Sequence, residues 1–155
     1  MTDFGQVLAQ RIESPGRTAV MVHSPCTVSA ALLGLPGRGV WQLHGVLPQM
    51  PRLAVVGSRA AHRLQRFAVP VIVAAARARG YSLVSGGARG IDAAVHQAAL
   101  AAGVPQLAVV PCRPEAPYPL EHAGLFAEIA SAPGSGVLFA LPPGVVVRCR
   151  PIGML

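Results

Sequence analysis

The chain has 155 residues, of which 17 are glycine, 15 are proline and 12% are charged. This length suits one domain with a sizeable core, and no apolar run reaches the about 18 residues of a membrane-spanning helix, which argues against a helical membrane protein. All 13 basic residues are arginines, against six acidic residues, and the net charge of +7 favours an acidic partner such as nucleic acid.

The first 39 residues form a predicted N-terminal segment without a recognisable motif. Helices are predicted over Phe4–Ile12 and Cys26–Leu33, and a β-type run is predicted over Thr18–Val22. The turn Leu35–Gly39, which contains glycine and proline, ends the segment. No cluster of metal-ligating residue types occurs here or further along the sequence, so no metal site is predicted.

Strands and helices alternate from Val40 onward. Apolar runs predict strands over Val40–His44, Leu53–Val56, Tyr81–Val84, Leu107–Val110 and Val137–Ala140. Helical spacing predicts helices over Val71–Arg79, Ile91–Ala101 and Glu121–Ile129. Pro70 is expected to separate the first helix from an upstream turn, Leu64–Ala68, because a proline inside a helix removes a hydrogen bond. The alternation predicts an α/β fold, with helices on both faces of a mainly parallel sheet and the second, third and fourth strands side by side.

Two of these strands are followed by glycine-rich loops, each of which carries an arginine. One loop follows Val56 and the other follows Val84, where a helix begins soon afterwards. Carboxyl ends of parallel strands meet at one edge of a sheet, and helix N-termini bind phosphate through free N–H groups. We therefore predict a phosphate-binding site at Gly57, Ser58, Arg59, Ser85, Gly86, Gly87, Arg89 and Gly90. A tight strand-to-helix turn explains the glycines equally well, and the two arginines favour the anion site.

Asp92 and His96 stand one helical turn apart at the start of the helix that follows the second loop. A carboxylate–histidine pair can perform acid–base catalysis, but it can also brace the glycine loop from beneath. No nucleophile accompanies the pair, so we favour the bracing role and predict no catalytic residue. The glycine spacing is not that of a GxGxxG dinucleotide fingerprint, and a chain without lysine has no GxxxxGK[ST] loop, so no cofactor is predicted.

Two strings in the chain resemble a known family. VVGSR, ending at Arg59, and VSGGARGIDAAVHQAAL, beginning at Val84, are similar to the DNA-processing protein A family, also called Smf. Tyr118-Pro119 and Pro142-Pro143-Gly144 resemble later motifs of that family. The resemblance implies that residues 40–155 form a three-layer Rossmann-like core, which binds single-stranded DNA and helps to load RecA during natural transformation. It also implies that residues 1–39 are the remnant of a helical domain.

The chain departs from the family pattern in its last third. Phe139-Ala140 stand where the family has a Ser-Glu pair, and Glu121-His122 stand where it has Glu-Asn. The sequence reaches Leu155 without the family's Arg-Asn-Arg segment and the strand and helix that follow it. We therefore expect a Rossmann domain that lacks its C-terminal end. That end supports dimer formation in the family, which places the implied homodimer in doubt.

Two other functions remain open. The same loops could hold a free nucleotide in a sensor, or act on a nucleoside monophosphate as in phosphoribohydrolases of the same superfamily. Those enzymes carry a PGGxGTxxE string with a catalytic glutamate, whereas the nearest string here, residues 133–137, has neither the threonine nor the acid. An enzyme is therefore not expected. For DNA binding, Tyr118 is the aromatic residue that can reach the loops, if its own loop folds over them.

The cysteines and the N-terminus bear on location. Cys26, Cys112 and Cys149 form no CxxC pair, and their odd number argues against a disulfide framework. The N-terminus has no basic stretch followed by an apolar run, which a secretory signal would need. Reduced thiols and a cytoplasmic location are therefore predicted.

Overall fold

The computed structural model describes residues 11–14, 17–20, 26–29, 40–49 and 51–141. Its strands are β1 (Arg11–Ser14), β2 (Arg17–Val20), β3 (Cys26–Ser29), β4 (Val40–Gly45), β5 (Arg52–Ala54), β6 (Ser82–Ser85), β7 (Gln106–Val110) and β8 (Gly136–Phe139). Its helices are α1 (Arg63–Ala78), α2 (Ile91–Ala102) and α3 (Ala123–Ser131), and a 3-10 helix at Leu120–His122 leads into α3. None of the helices in these ranges is long and apolar enough to cross a membrane.

The sheet has six strands in the order β3-β4-β8-β7-β6-β5. The four strands from β5 to β8 pair in parallel, whereas β4 pairs antiparallel with both β8 and β3. Strands β1 and β2 form a separate antiparallel pair. The predicted adjacency of the strands near Leu53, Tyr81 and Leu107 is confirmed. A helix connects each parallel strand to the next, and the three crossovers move in the same direction along the sheet. Because such crossovers are right-handed, their helices lie on the same face of the sheet.

The side chains of the sheet show the same one-sided arrangement of helices. Register pairs Ser85 with Ala108, and Ala108 with Val137, so these side chains share a face. Leu83, on that face too, packs against α1 and α2, and Val137 packs against α3. The other face is lined by Leu43, Leu107 and Leu138, and Leu47 packs on them. The predicted α/β Rossmann-like fold with a mainly parallel sheet is confirmed. The helices expected on the second face of the sheet do not occur among the described residues.

Helix α1 runs without a break through Pro70, so the predicted interruption there is wrong. Its buried stripe, Val69, Val73 and Ala76, lies on both sides of the proline and packs on α2. An internal proline costs about 3 kcal/mol, and burying side chains such as the two valines contributes about 1.5–3 kcal/mol each. At its start, the backbone N–H of His62 donates to Gln65 Oε1 at 2.8 Å, an arrangement typical of a helix N-terminus.

The N-terminal segment contains strands where helices were predicted. Cys26–Ser29 forms β3, which pairs antiparallel with β4, so the helix predicted to begin at Cys26 is wrong. Two of its four residues are β-branched, and the edge of β4 supplies the hydrogen-bond partners that a short strand needs. Arg11 and Ile12, predicted as a helix end, belong to β1. The β-type run is confirmed over residues 18–20, and the Pro-Pro-Gly motif lies outside the described residues.

Candidate nucleic-acid interface

The two predicted loops lie against each other at the carboxyl edge of the parallel strands. The N–H of Ile91, the first residue of α2, donates to the carbonyl oxygen of Ser58 at 3.1 Å. Gly90 has φ 85°, and a Cβ added there would lie 2.1 Å from that same oxygen. No other residue type fits this position, because a side chain would overlap the first loop and strain the backbone. The loop after β5 therefore rests directly on the start of α2.

Three more glycines allow close packing around these loops. A Cβ on Gly57 would lie 2.6 Å from the Ile91 side chain, and one on Gly87 would lie 2.5 Å from Val110. A Cβ on Gly86 would lie 2.5 Å from a carboxylate oxygen of Asp92. All three distances are too short for real side-chain contacts. Packing alone therefore accounts for these glycines, and an anion site here depends on the two arginines and on the exposed edge formed by the loops.

The two serines of the predicted site have different environments. Ser85 is buried, and its hydroxyl donates to the carbonyl oxygen of Val55 at 2.6 Å. This bond ties β6 to the end of β5 and engages the Ser85 hydroxyl inside the protein. Ser58 is exposed, and its Oγ accepts a hydrogen bond from the Ala60 N–H at 3.1 Å. Of the two serines, Ser58 is therefore the one whose hydroxyl lies at the protein surface, at the carboxyl edge of the sheet.

Asp92 braces the second loop from within α2. Its Oδ2 accepts a hydrogen bond from the Ala88 N–H at 3.3 Å, and the residue is only 7% exposed. A carboxylate in the first turn of a helix also interacts favourably with the helix dipole. The other oxygen, Oδ1, is buried and has no hydrogen-bond partner within the described part of the chain. Asp92 therefore holds the loop in shape, as the sequence favoured.

His96 lies fully buried one turn further along α2. Its Nε2 is 2.8 Å from the carbonyl oxygen of Gly86, and its Nδ1 is 2.7 Å from Oε1 of Gln106. Gln106 in turn donates through Nε2 to the His96 carbonyl oxygen at 3.2 Å. Burial lowers the pKa of His96, while the hydrogen bonds to Gln106 and Gly86 act in the opposite direction. Both ring nitrogens are thus engaged in hydrogen bonds beneath the second glycine loop, which again favours a role in bracing that loop over a role in catalysis.

The two arginines of the site differ in their partners. Arg89 donates through Nε to the carboxylate of Glu121, and both side chains are exposed. This pairing raises the pKa of Arg89 and lowers the pKa of Glu121. Asp92, three residues after Arg89, does not pair with it, because the Asp92 carboxylate is buried under the loop. Arg59 is exposed and makes no salt bridge to any residue in the described ranges.

The Tyr118 loop lies beside the second glycine loop. His122 Nδ1 donates to the carbonyl oxygen of Gly87 at 3.0 Å, and Tyr118 is close enough to Arg89 to contribute to the rise in its pKa. Tyr118 is 55% exposed, so an aromatic face is available next to the arginine. The sequence identified Tyr118, and it marked Glu121-His122 only as a departure from the family pattern, without their contacts to the second glycine loop.

Known proteins resemble this chain in both sequence and fold. Residues 40–147 match the model of the family described as DNA recombination-mediator protein A. Two Mycobacterium tuberculosis proteins, from strains CDC 1551 and H37Rv, bear the name DNA processing protein DprA and are 38% identical over 122 residues. These matches cover 78% of this chain and 30% of each relative, so the chain spans about a third of their length.

Two solved structures share the fold. The X-ray structure of DNA processing protein A from Streptococcus pneumoniae has a TM-score of 0.65 and 26% identity, covering 79% of this chain and 46% of that one. DNA processing protein A from Helicobacter pylori, described for its single-stranded DNA binding mode, has a TM-score of 0.62 and 20% identity over 80% and 59% of the two chains. With the matched family and the shared fold, this chain belongs to the DNA recombination-mediator protein A family.

Proposed function

We propose that the two interlocked loops bind the sugar–phosphate backbone of single-stranded DNA. Arg59 and Arg89 supply positive charge at one edge of the sheet, and Ser58 supplies an exposed hydroxyl. Phosphate contacts of this kind position a strand without reading its sequence. The net charge of +7 adds a favourable long-range field. Membership of a recombination-mediator family, rather than of an enzyme family, agrees with a binding role.

The contact between the two loops is the main support for this proposal. The hydrogen bond from Ile91 to the Ser58 carbonyl fixes the loop of Arg59 against the loop of Arg89. Two loops from adjacent strands thus present their arginines at one edge, whereas a pair of unrelated turns would scatter them. A strand of DNA repeats its phosphates regularly, so two arginines at neighbouring positions suit successive phosphates.

Tyr118 adds a stacking surface to the proposed site. Proteins that bind single strands without sequence preference combine basic grooves with aromatic side chains on which bases stack. Tyr118 is exposed and lies near Arg89, so a base next to a bound phosphate can stack there. With one such residue, binding is expected to be weakly sequence-specific.

Family membership also supports proposals for the partners and the location. We propose that the protein acts in the cytoplasm, with RecA, on DNA taken up in natural transformation.

We also propose a homodimer. The outer edge of β5 pairs with no strand in the described part of the chain, and Val56, just beyond it, is 74% exposed. The one charged residue of β5, Arg52, is held by the carbonyl oxygen of Pro48, and the exposed Leu53 and Val56 leave the rest of this edge apolar, so it invites pairing with a second copy.

The experiment that tests the DNA-binding role compares ligands across a salt series. The 155-residue protein is titrated with single-stranded oligonucleotides and with mononucleotides at several salt concentrations. We expect oligonucleotides to bind far more tightly, with an affinity that falls as salt rises because phosphates release counterions. Equal affinity for both ligands would instead favour the alternative function, a sensor of free nucleotides. Release of a base from a nucleoside monophosphate would favour the enzyme.

A further inference from the structure

Helix α1 carries a second apolar stripe on the side that faces away from the fold. This outer stripe consists of Phe67, Val71, Ala74 and Ala78, which recur at helical spacing. All four residues are exposed, Phe67 by 79% and Val71 by 66%. A surface helix normally has charged or polar side chains opposite its buried residues, whereas α1 has apolar ones there. A continuous exposed stripe of this kind marks an interaction surface.

Arginines line one flank of the outer stripe. Arg63, Arg66 and Arg77 are exposed, and their spacing places them on the same side of α1. The helix contains no acidic residue, so these arginines have no partner of opposite charge within α1 itself. Paired helices choose their partners through charges that flank an apolar seam in this way. The flank therefore selects for an acidic neighbour.

The small residues of the outer stripe favour a helix as that neighbour. Alanines such as Ala74 and Ala78 gain little from apolar surroundings, but they allow the backbone of a second helix to approach closely. The stripe also has the spacing of a heptad seam, on which the side chains of a facing helix can pack. A helix that lies on a membrane relies instead on large apolar side chains. Along the outer stripe, those are Phe67 and Val71 alone.

The chain does not supply the acidic helix itself. It has six acidic residues, and no two of them lie within one helical turn of each other in the sequence. Asp92 is buried, and Glu121 is engaged by Arg89. A second copy of these 155 residues would also bring a net charge of +7 against an equal charge, which opposes its approach. The complementary helix therefore comes from a different protein.

We propose that the outer stripe of α1 binds an amphipathic helix of an acidic partner protein. Apolar side chains of the partner helix pack on Phe67 and Val71, as in other recognition of helices through apolar anchors. Acidic residues next to those anchors pair with Arg63, Arg66 and Arg77. The surface uses the outer side of α1 and neither glycine loop, so the inference is independent of the proposed DNA binding.

Two synthetic helical peptides test this surface. Both carry leucine at heptad positions a and d, and one has glutamate at the flanking positions e and g where the other has lysine. The 155-residue protein should bind the glutamate peptide at least about tenfold more tightly, and added salt should reduce the difference. Equal affinity for the two peptides, or no binding of the glutamate peptide up to about 1 mM, overturns the proposal.

Variants of α1 locate the binding on the outer stripe. Val71→Glu should weaken binding of the glutamate peptide about tenfold or more, whereas Leu120→Glu makes a similar change at another exposed apolar residue and should not. Phe67→Ala removes an anchor without adding charge, and it must also weaken binding, which decides the matter if Val71→Glu does not fold. Arg77→Gln should flatten the salt dependence more than Arg79→Gln, which lies just past the end of α1. Wild-type affinity in the stripe variants overturns the proposal.

Two other occupants of the stripe would give different results. Vesicles of phosphatidylcholine with phosphatidylserine probe a membrane surface, and light scattering measures self-association. Vesicle binding that Val71→Glu abolishes, without binding of the glutamate peptide, would assign the stripe to a membrane. A dimer that Val71→Glu dissociates would assign it to a second copy of the chain. Either result overturns the acidic partner helix.

Discussion

Arg89 donates a hydrogen bond through Nε to the carboxylate of Glu121, joining the second glycine loop to the 3-10 helix before α3. The two residues are 32 positions apart in the sequence. Both side chains are largely exposed, 69% for Arg89 and 49% for Glu121, so water and salt screen the pair and its effect on stability is small. At the proposed DNA site we expect a larger effect on binding, because a carboxylate beside the arginine competes with phosphate for the same guanidinium.

Neutralising Glu121 should therefore strengthen DNA binding. Glu121→Gln removes the competing charge, and we expect the affinity for single-stranded DNA to rise several-fold at low salt. The dependence of log affinity on log salt should steepen by up to about 0.7, the value for one additional phosphate contact. Glu128→Gln removes the same charge from an exposed position on α3 and serves as the control. Equal gains in the two variants would mean that net charge alone is responsible.

Removing either arginine of the site should weaken binding to strands of any sequence. Arg59→Ala and Arg89→Ala each remove about one phosphate contact, so each should flatten the salt dependence by about 0.7. Melting temperatures should change little, because both side chains are exposed. Arg79→Ala removes the same charge at the end of α1, near the opposite edge of the sheet, and should leave the slope unchanged. Unchanged slopes in the first two variants would remove DNA binding from these loops.

The sequence was most informative where local chemistry decides the structure. Tyr81–Val84 and Leu107–Val110 are unbroken apolar runs, and they form β6 and β7 within one residue at each end. Strands buried on both faces need such runs, so pattern and burial agree. The bracing role of Asp92 was also predictable, because a carboxylate in the first turn of a helix has nearby N–H groups to accept from.

Non-local partners explain what the sequence did not reveal. Helix α1 continues through Pro70 because α2 buries its stripe on both sides, and the pattern of α1 alone cannot show this. Residues 26–29 form β3 because the edge of β4 is available. The pairing of Arg89 with Glu121 depends on where the Tyr118 loop folds. In each case the deciding contact comes from a distant part of the chain.

Gly90 is expected to tolerate no side chain. Gly90→Ala would place a methyl group 2.1 Å from the Ser58 carbonyl oxygen and strain the backbone at φ 85°. We expect a loss of about 3 kcal/mol or more in the free energy of unfolding. Gly80→Ala is the matched control, since Gly80 has φ 70° but nothing within 4 Å of an added Cβ. That change should cost only about 1–2 kcal/mol in denaturant unfolding. Similar losses would mean that the contact between the loops contributes nothing.

Charging the free edge of the sheet should prevent self-association. Val56→Lys places a charge just beyond β5, where natural edge strands commonly carry lysine to block pairing. If the homodimer forms through this edge, the variant should be monomeric by light scattering at concentrations where the wild-type chain is dimeric. Leu120→Lys changes another apolar residue, which is 73% exposed and precedes Glu121 of the proposed DNA site, and should leave the dimer intact. A dimer that survives Val56→Lys forms elsewhere on the protein.

His96 should make the fold sensitive to acid. Burial lowers its pKa in the folded protein below the ordinary value of 6.5. As the pH falls below 6.5, the unfolded chain binds a proton at this residue before the folded chain does, so the free energy of unfolding decreases until the folded pKa is passed. The contribution is fully present above pH 6.5. His44 has a lowered pKa too and adds a change of the same sign.

The variant His96→Gln shows how much of this acid sensitivity comes from His96. The variant loses buried hydrogen bonds to Gly86 and Gln106, and we expect it to be about 1–3 kcal/mol less stable near neutral pH. Its melting temperature should fall less than that of the wild-type chain between about pH 7.5 and about pH 5.5, because the titrating ring is gone. His62→Gln, at an exposed position before α1, is the matched control for the loss of one histidine. Parallel curves for wild type and His96→Gln would show that the His96 ring is protonated as readily in the fold as in the unfolded chain, and that its burial does not govern acid stability.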